Sequence, residues 1–455
     1  LNPFEKTMQQ WEARAEGLLR EARAQGAEVE LAFQAGRSFS VKCRAGVAEE
    51  LLQSNPSGMG IRLFRDGRCA SAALGDGRFV PPAELVARLL KHATLLSQDP
   101  GNRLPDGASL YLGKPDMEAF DSKVFDLDLS SAFKLASRCE KAALGHHSAV
   151  TMTEGASCAG GASLQAMYSS AGLAAVELTS NCSLSVEPVA EGADGSKKTS
   201  WWFSAARAPE GLESPEAVGK KAGARAVAKL GAKKIPSGTW PVLFEPEAGA
   251  ALIGNLFRAA SGDLLQKGAS YLDGALGTRV GSEELTLIDD PLMLVAPGRT
   301  VFDSDGCRTA PLELFSGGLF KAIPCDSWYG GKLGIPTTGH CARGLSGPSS
   351  VAPHNLYLKP GPASPEELLG RLGTGLLVSS FIGSGFNPAT GDFSQGAEGF
   401  WVENGKIVHP VHEITVGCRF QDFWGRLEAV GNDLEFRFSI NAPTFLVREM
   451  TIAGA

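Results

Sequence analysis

The chain has 455 residues, 43% hydrophobic and 20% charged, enough for two to four domains with real cores and too apolar for wholesale disorder. Its formal net charge is −7 and no stretch concentrates Lys and Arg, which excludes a nucleic-acid footprint. Nine scattered cysteines without a C-x-x-C pair fit a reducing cytosol better than a disulfide framework or structural zinc site, and no apolar run is long enough to span a bilayer.

Asn2-Pro3 reads as a helix start, a capping side chain followed by Pro at the first helical position. Phe4, Met8, Trp11, Ala15, Leu18 and Ala22 then recur at helical spacing as one buried stripe ending before Gly26. The segment from Leu1 to Glu12 is a polar amphipathic pattern and not a signal peptide. The period then changes to two: Val29, Leu31 and Phe33 form one strand, Phe39, Val41 and Cys43 another, with Gly36 as the hairpin turn between them. A second pair, Gly60 to Phe64 and Arg68 to Ala73, is joined through Asp66-Gly67, and Pro81-Pro82 opens a helix that turns Leu85, Val86, Leu89, Leu90 and Ala93 inward. This gives a first α+β block over residues 1–100.

A Pro-, Gly- and Asp-rich stretch over residues 101–125 is a linker candidate, followed by a helix from about Ser130 to Leu144. Strand-like runs follow at Val150 to Glu154, Ser163 to Ser169, Gly172 to Leu184 and Thr199 to Ala206, with a polar loop from Gly192 to Ser200. Ser214-Pro215-Glu216 starts a long Ala/Lys helix to Leu230. Lys220, Lys221, Lys229, Lys233 and Lys234 read as its solvated face and C-terminal end. Strands bracketed by helices without βαβ regularity predict a second α+β domain over 101–235. From residue 236 to 455, short apolar runs separated by turn residues predict a β-rich, barrel-like domain. Helices are expected there at Pro246 to Ser261 and Ser364 to Leu372. The expected fold class is thus α+β: mixed sheets and helices in the N-terminal region, then a β-rich barrel-like C-terminal domain.

The common hydrolase and nucleotide motifs, H-E-x-x-H, G-x-S-x-G and G-x-x-x-x-G-K-[ST], are absent. Gly373-Thr374-Gly375 and Gly383-Ser384-Gly385 read as turns beside strands. His409 and His412, with Glu413 and Cys418 nearby, could suggest a metal. Strand alternation puts the two histidines on opposite faces, where they cannot close on one ion. His340-Cys341 reads as an exposed loop histidine beside a buried thiol. The segment from Phe386 to Gly405 is aromatic and acidic. Phe386, Asp392, Phe393, Ser394, Phe400 and Trp401 are its candidate peptide-groove or interface residues, on the expectation of an unpaired strand edge.

The C-terminal half carries a run of motifs in order: Asp289-Asp290-Pro291, Phe302-Asp303-Ser304-Asp305-Gly306, Lys332-Leu333-Gly334, Thr338-Gly339-His340 and Gly373-Thr374-Gly375-Leu376-Leu377-Val378. They continue with Thr390-Gly391-Asp392-Phe393-Ser394, Gly399 to Gly405, Val430-Gly431-Asn432-Asp433 and Ile452-Ala453-Gly454. On these motifs the C-terminal half closely resembles the PmbA (TldE) branch of the TldD/PmbA family, whose old label is modulator of DNA gyrase. The N-terminal half fits by pattern more than by motif.

The TldD branch carries an H-E-x-x-x-H zinc helix and a Cys ligand near the C-terminus. The resemblance puts Ile253, Gly254 and Arg258 at the positions of the two histidines and the catalytic glutamate, and Asn441-Ala442 near the Cys. None of these can bind zinc or act as the base. What the resemblance implies is a cytoplasmic subunit with no catalytic residues, no metal and no cofactor. It would pair with a TldD-type metalloprotease and act with it on unfolded or leader-bearing peptides, with no contact to nucleic acid or membrane. Whether the chain pairs with itself when alone stays open. The alternatives are a self-sufficient hydrolase around His340, His412 and Asp392, or a protein-binding regulator without a role in proteolysis.

Overall fold

A computed structural model describes residues 3–75 and 80–454. The capping role expected of Asn2 lies outside them. The first helix, Glu5–Ala24, buries Trp11, Ala15, Leu18 and Ala22, the stripe that the 3.6-residue spacing predicts. The hairpin expected at Gly36 is absent. Glu28–Arg44 is one 17-residue strand, paired along one side with Val150–Ser169 from Glu30 to Cys43. On its other side the partner changes: residues 28–35 pair with Ser57–Arg65 and residues 38–44 with Val47–Ser54. The break therefore lies between the two partner strands, at Asn55-Pro56, where the Pro56 carbonyl accepts a hydrogen bond from the Gly36 N–H (2.8 Å). A Cβ on Gly36 would sit 3.4 Å from the Pro56 ring, so the glycine serves close approach and not a turn.

Eight strands from residues 28–206 make one sheet. It runs across the boundary drawn near residue 100, because Glu28–Arg44 pairs with a strand from beyond that boundary. Val150–Ser169 is also longer than its two predicted pieces. Its middle, GASCAGGA, lacks the β-branched residues that mark a strand, yet pairing on both sides holds it extended. Strand alternation divides the sheet. Val29, Leu31 and Phe33 pack under helices Glu5–Ala24 and Pro82–Ala93, and Val41 and Cys43 pack with helix Leu129–Leu144 and residues of helix Pro215–Ala228. Glu30 and Ala32 point the other way, toward the C-terminal region.

That region contains the expected barrel. Strands Gly238–Phe244, Gly375–Ile382, Asp392–Glu403, Lys406–Arg419 and Phe445–Ala453 close into a ring of five, the last pairing with both the first and the fourth. Closure removes the free edges that an open sheet would expose. A second, five-stranded sheet includes Leu287–Asp289 and Leu356–Leu358. Helix Pro246–Ala260 shares one core with both, burying Leu252, Ile253, Leu256 and Phe257 among barrel and sheet residues. Helix Pro365–Leu372 begins with a capping box, Ser364 accepting from the Glu367 N–H while the Glu367 carboxylate accepts from the Ser364 N–H.

Candidate functional site

The helix Pro246–Ala260 starts as its sequence suggests, with Pro in the first turn, and its apolar stripe faces inward. Ile253 is fully buried in the shared core. Gly254 packs against Ile440, whose Cδ1 would stand 3.2 Å from an added Cβ. Arg258 forms an ion pair with Asp263 at 2.7 Å and donates to Ser261. Burial alone would raise Asp263, but Arg258 outweighs it and holds the carboxyl below its ordinary range. Asn441 closes its own loop, accepting from the N–H groups of Arg437 (2.9 Å) and Phe438 (3.0 Å) and donating to the Phe438 carbonyl (2.7 Å). Ala442 is buried. These five residues are therefore an aliphatic core residue, a helix contact, one member of a satisfied ion pair, a satisfied loop amide and a buried alanine. The zinc of an H-E-x-x-x-H helix does not fit them.

Beside this helix a cleft of about 360 Å³ opens between the large sheet and the barrel, lined among others by Ala250, Glu245, Arg225, Trp202, Arg437 and Ile440. Its wall is an aromatic plate: Lys221 Nζ lies 3.7 Å from the Trp202 ring centroid and the guanidinium of Arg437 4.3 Å. Lys221 is exposed, as its place on a solvated helix face predicts, but its ammonium lies over this ring, and partial burial there lowers its pKa. Arg225 lies 3.7 Å from Glu245 and 3.6 Å from Glu247. Burial raises the Glu245 carboxyl despite that neighbour. The cleft offers charges of both signs above an apolar floor, which suits the polar backbone and mixed side chains of an extended chain.

The residues expected to form a peptide groove are not together in one. Strand Asp392–Glu403 is paired on both sides, with Gly375–Ile382 and Lys406–Arg419, so the unpaired edge expected there does not exist. Phe386 and Phe393 pack with tilted rings against Phe420, with centroids 4.5 and 5.7 Å apart, Phe393 within the barrel core and Phe386 half-buried against it. Trp401 makes an edge contact with Trp240 at 5.1 Å and donates to Glu403. Phe400 packs in a separate cluster around Leu243 and Leu377. Asp392 and Ser394 are exposed. Barrel closure turned Phe393 and Trp401 inward.

His340 also departs from expectation. It is 1% exposed, not a solvated loop residue. Its ring packs against Phe257 (6.1 Å), and its Nε2 is 3.0 Å from Asp289 Oδ2. The same oxygen is 2.8 Å from His354 Nδ1. Burial would raise Asp289, yet its contacts with the two histidines hold it well below the usual carboxylate range. Burial lowers His340. His412 lies instead beside Glu413 at 3.5 Å, and Asp392 lies 3.7 Å from Arg419, so His340, His412 and Asp392 each have separate partners. Among the described residues, His409, His412 and Cys418 join no group of potential metal ligands.

A buried ionic knot went unread in the sequence. Asp303 accepts the N–H groups of Asp305, Cys307 and Cys341 (2.9, 2.9 and 3.0 Å), which shapes the Phe302–Gly306 loop. Asp305 then meets Arg62 (2.9 Å) and Arg343, and both arginines also reach Glu30. Glu30 and Arg62 come from the large sheet, and Asp305 and Arg343 from the C-terminal region. This conspicuous acidic loop is thus a clasp between the two halves. The available signals were the paired aspartates of the Phe302–Gly306 motif and the glutamate Glu30 alternating with apolar residues in its strand.

Profile models of three consecutive domains match the chain: PmbA/TldA metallopeptidase domain 1 at residues 29–93, the central domain at 122–230 and the C-terminal domain at 237–454. Metalloprotease PmbA of Escherichia coli O157:H7 is 32% identical over 436 residues, covering 96% of this chain and 94% of that protein. The PmbA homolog of Haemophilus influenzae is 31% identical over 430 residues, covering 94% and 93%. Among solved structures, a Thermotoga maritima protein named for modulation of DNA gyrase superposes with a TM-score of 0.86 at 27% identity, covering 97% of this chain and all of that one. TldE of Thermococcus kodakarensis shares the fold, with a TM-score of 0.85 at 21% identity, covering 96% and 99%. With its three domain matches and its barrel, the chain belongs to the PmbA/TldD metallopeptidase family.

Proposed function

We propose that this chain is the metalloprotease-related subunit that lacks the catalytic zinc, a PmbA/TldE-type partner that acts with a TldD-type zinc subunit on unfolded or leader-bearing peptides. The observation that carries the reading is the filled zinc helix: Ile253 in the core, Gly254 against Ile440 and Arg258 tied to Asp263, beside an open cleft. A helix without ligands cannot activate water by the family's route, while the cleft can still hold part of an extended chain. A cytoplasmic location suits nine unpaired cysteines, and no helix of the described residues is long and apolar enough to cross a membrane.

The test mixes the purified chain with a TldD-type protein and an unfolded polypeptide, following cleavage by mass spectrometry and assembly by size-exclusion chromatography. The expected result is cleavage and a stable complex only with both chains present. Cleavage by this chain alone would overturn the proposal, as would failure to associate with the zinc-bearing protein.

A further inference from the structure

We infer that Asp289, His340 and His354 form a binding site for one divalent transition-metal ion of the zinc class, separate from the family's helix. One donor atom from each lies within 4.8 Å of the others. His340 Nε2 and His354 Nδ1 stand 3.0 and 2.8 Å from the same carboxylate oxygen. Two ligands of a tetrahedral zinc, each about 2.0–2.1 Å from the ion, stand roughly 3.3 Å apart, so small shifts of these side chains would accommodate one.

The proton inventory favours a cation over a simple hydrogen-bonded triad. His340 Nδ1 lies 2.9 Å from the Thr338 carbonyl, which can only accept, so the network assigns the ring proton to Nδ1. The Thr338 hydroxyl, also 2.9 Å away, has the Cys325 carbonyl as an alternative acceptor for its own proton. The neutral ring then carries a bare lone pair on Nε2. That atom is fully buried and has no hydrogen-bond partner, although Asp289 Oδ2 stands 3.0 Å away. A lone pair beside a carboxylate is repulsive unless something positive sits between them. An imidazole that donates its second nitrogen's proton to a backbone carbonyl is the usual outer support of a metal-bound histidine.

The ligand set of two imidazoles and one carboxylate suits zinc or its neighbours better than calcium or magnesium. Asp289 and His340 are nearly inaccessible, and His354 is 11% exposed in its side chain. The ion would therefore join three segments: the Leu287–Asp289 strand, the loop ending in His340 and the loop before Leu356–Leu358. Its role would be structural, and it does not depend on the proposed partnership.

The test uses the full chain without a histidine tag, stripped with chelator and dialysed against zinc or cobalt. One retained equivalent is expected, with visible cobalt absorption of tetrahedral intensity and a higher Tm when loaded. His354→Ala and Asp289→Asn should each weaken binding by at least about a hundredfold, beyond what outer-shell changes cost. Replacing both members of the exposed His146-His147 pair by Ala should leave binding intact. If His354→Ala does not fold, Asp289→Asn decides, since it keeps the side chain's shape. No ion retained by the wild type would overturn the inference and leave Asp289 and His340 as a proton-bridged pair. Equal binding by wild type and variants, or loss in the His146/His147 variant, would overturn it too.

Discussion

Replacing Arg343 by Met should cost about 3–5 kcal/mol, the usual range when one member of a buried ion pair is removed. The knot is locally neutral, with Arg62 and Arg343 facing Glu30 and Asp305. The Met stem fills much of the vacated space, so the loss is mainly electrostatic. Two carboxylates, 1% and 2% exposed in their side chains, would then share Arg62 alone. Burial by itself would raise Asp305, but the two arginines outweigh it and hold its pKa below the ordinary value. A carboxyl depressed in the folded state stabilises above its unfolded pKa and loses that contribution as pH falls through the folded value. The variant should therefore also lose part of the wild type's drop in stability below about pH 4. Urea unfolding followed by both far- and near-UV circular dichroism measures this, with the slope compared between variants because a chain of this size can unfold in stages. Lys332→Met is the control. Its pair with Asp99 has side chains 31% and 32% exposed and should contribute under about 1 kcal/mol. An Arg343→Met loss no larger than the control's would refute the clasp.

Burial pushes the Glu177 carboxyl up to about 7, only partly offset by its hydrogen bonds from Thr300 and Val301. A raised carboxyl means that stability is highest below the unfolded value and declines as pH rises toward 7; Glu177→Gln should abolish that decline, read as a flatter Tm-against-pH profile between about pH 4.5 and 7. Gly60→Val should destabilise by roughly 1–3 kcal/mol, because an added Cβ overlaps the Leu345 carbonyl and backbone must move; an unchanged thermal midpoint would contradict that contact. Ser364→Ala removes one half of a capping box on an exposed helix start and should cost about 1 kcal/mol by urea denaturation.

Local chemistry was legible wherever a side chain acts on its own backbone. Ser214 and Ser364 cap the helices they open, and Pro82, Pro215 and Pro365 sit in the first turns where their missing N–H costs nothing. The stripe from Trp11 to Ala22 and the β-rich character of the last region follow from the same short-range periodicity. That Ile253, Gly254 and Arg258 are not zinc ligands was legible too, since ligand chemistry is a matter of residue identity. Pairing was not. Gly36 could be a turn or a crossing, and only its approach to Pro56 decides. The aromatic run from Phe393 to Trp401 could line a groove or a core, and barrel closure made most of it core. His340, Asp289 and His354 are spread over more than sixty residues, as Glu30 and Arg343 are over some three hundred. No short-range rule joins such groups. Their charges meet only after strands from distant parts of the chain have found their register, so the ionic clasp and the histidine cluster belong to the tertiary structure alone.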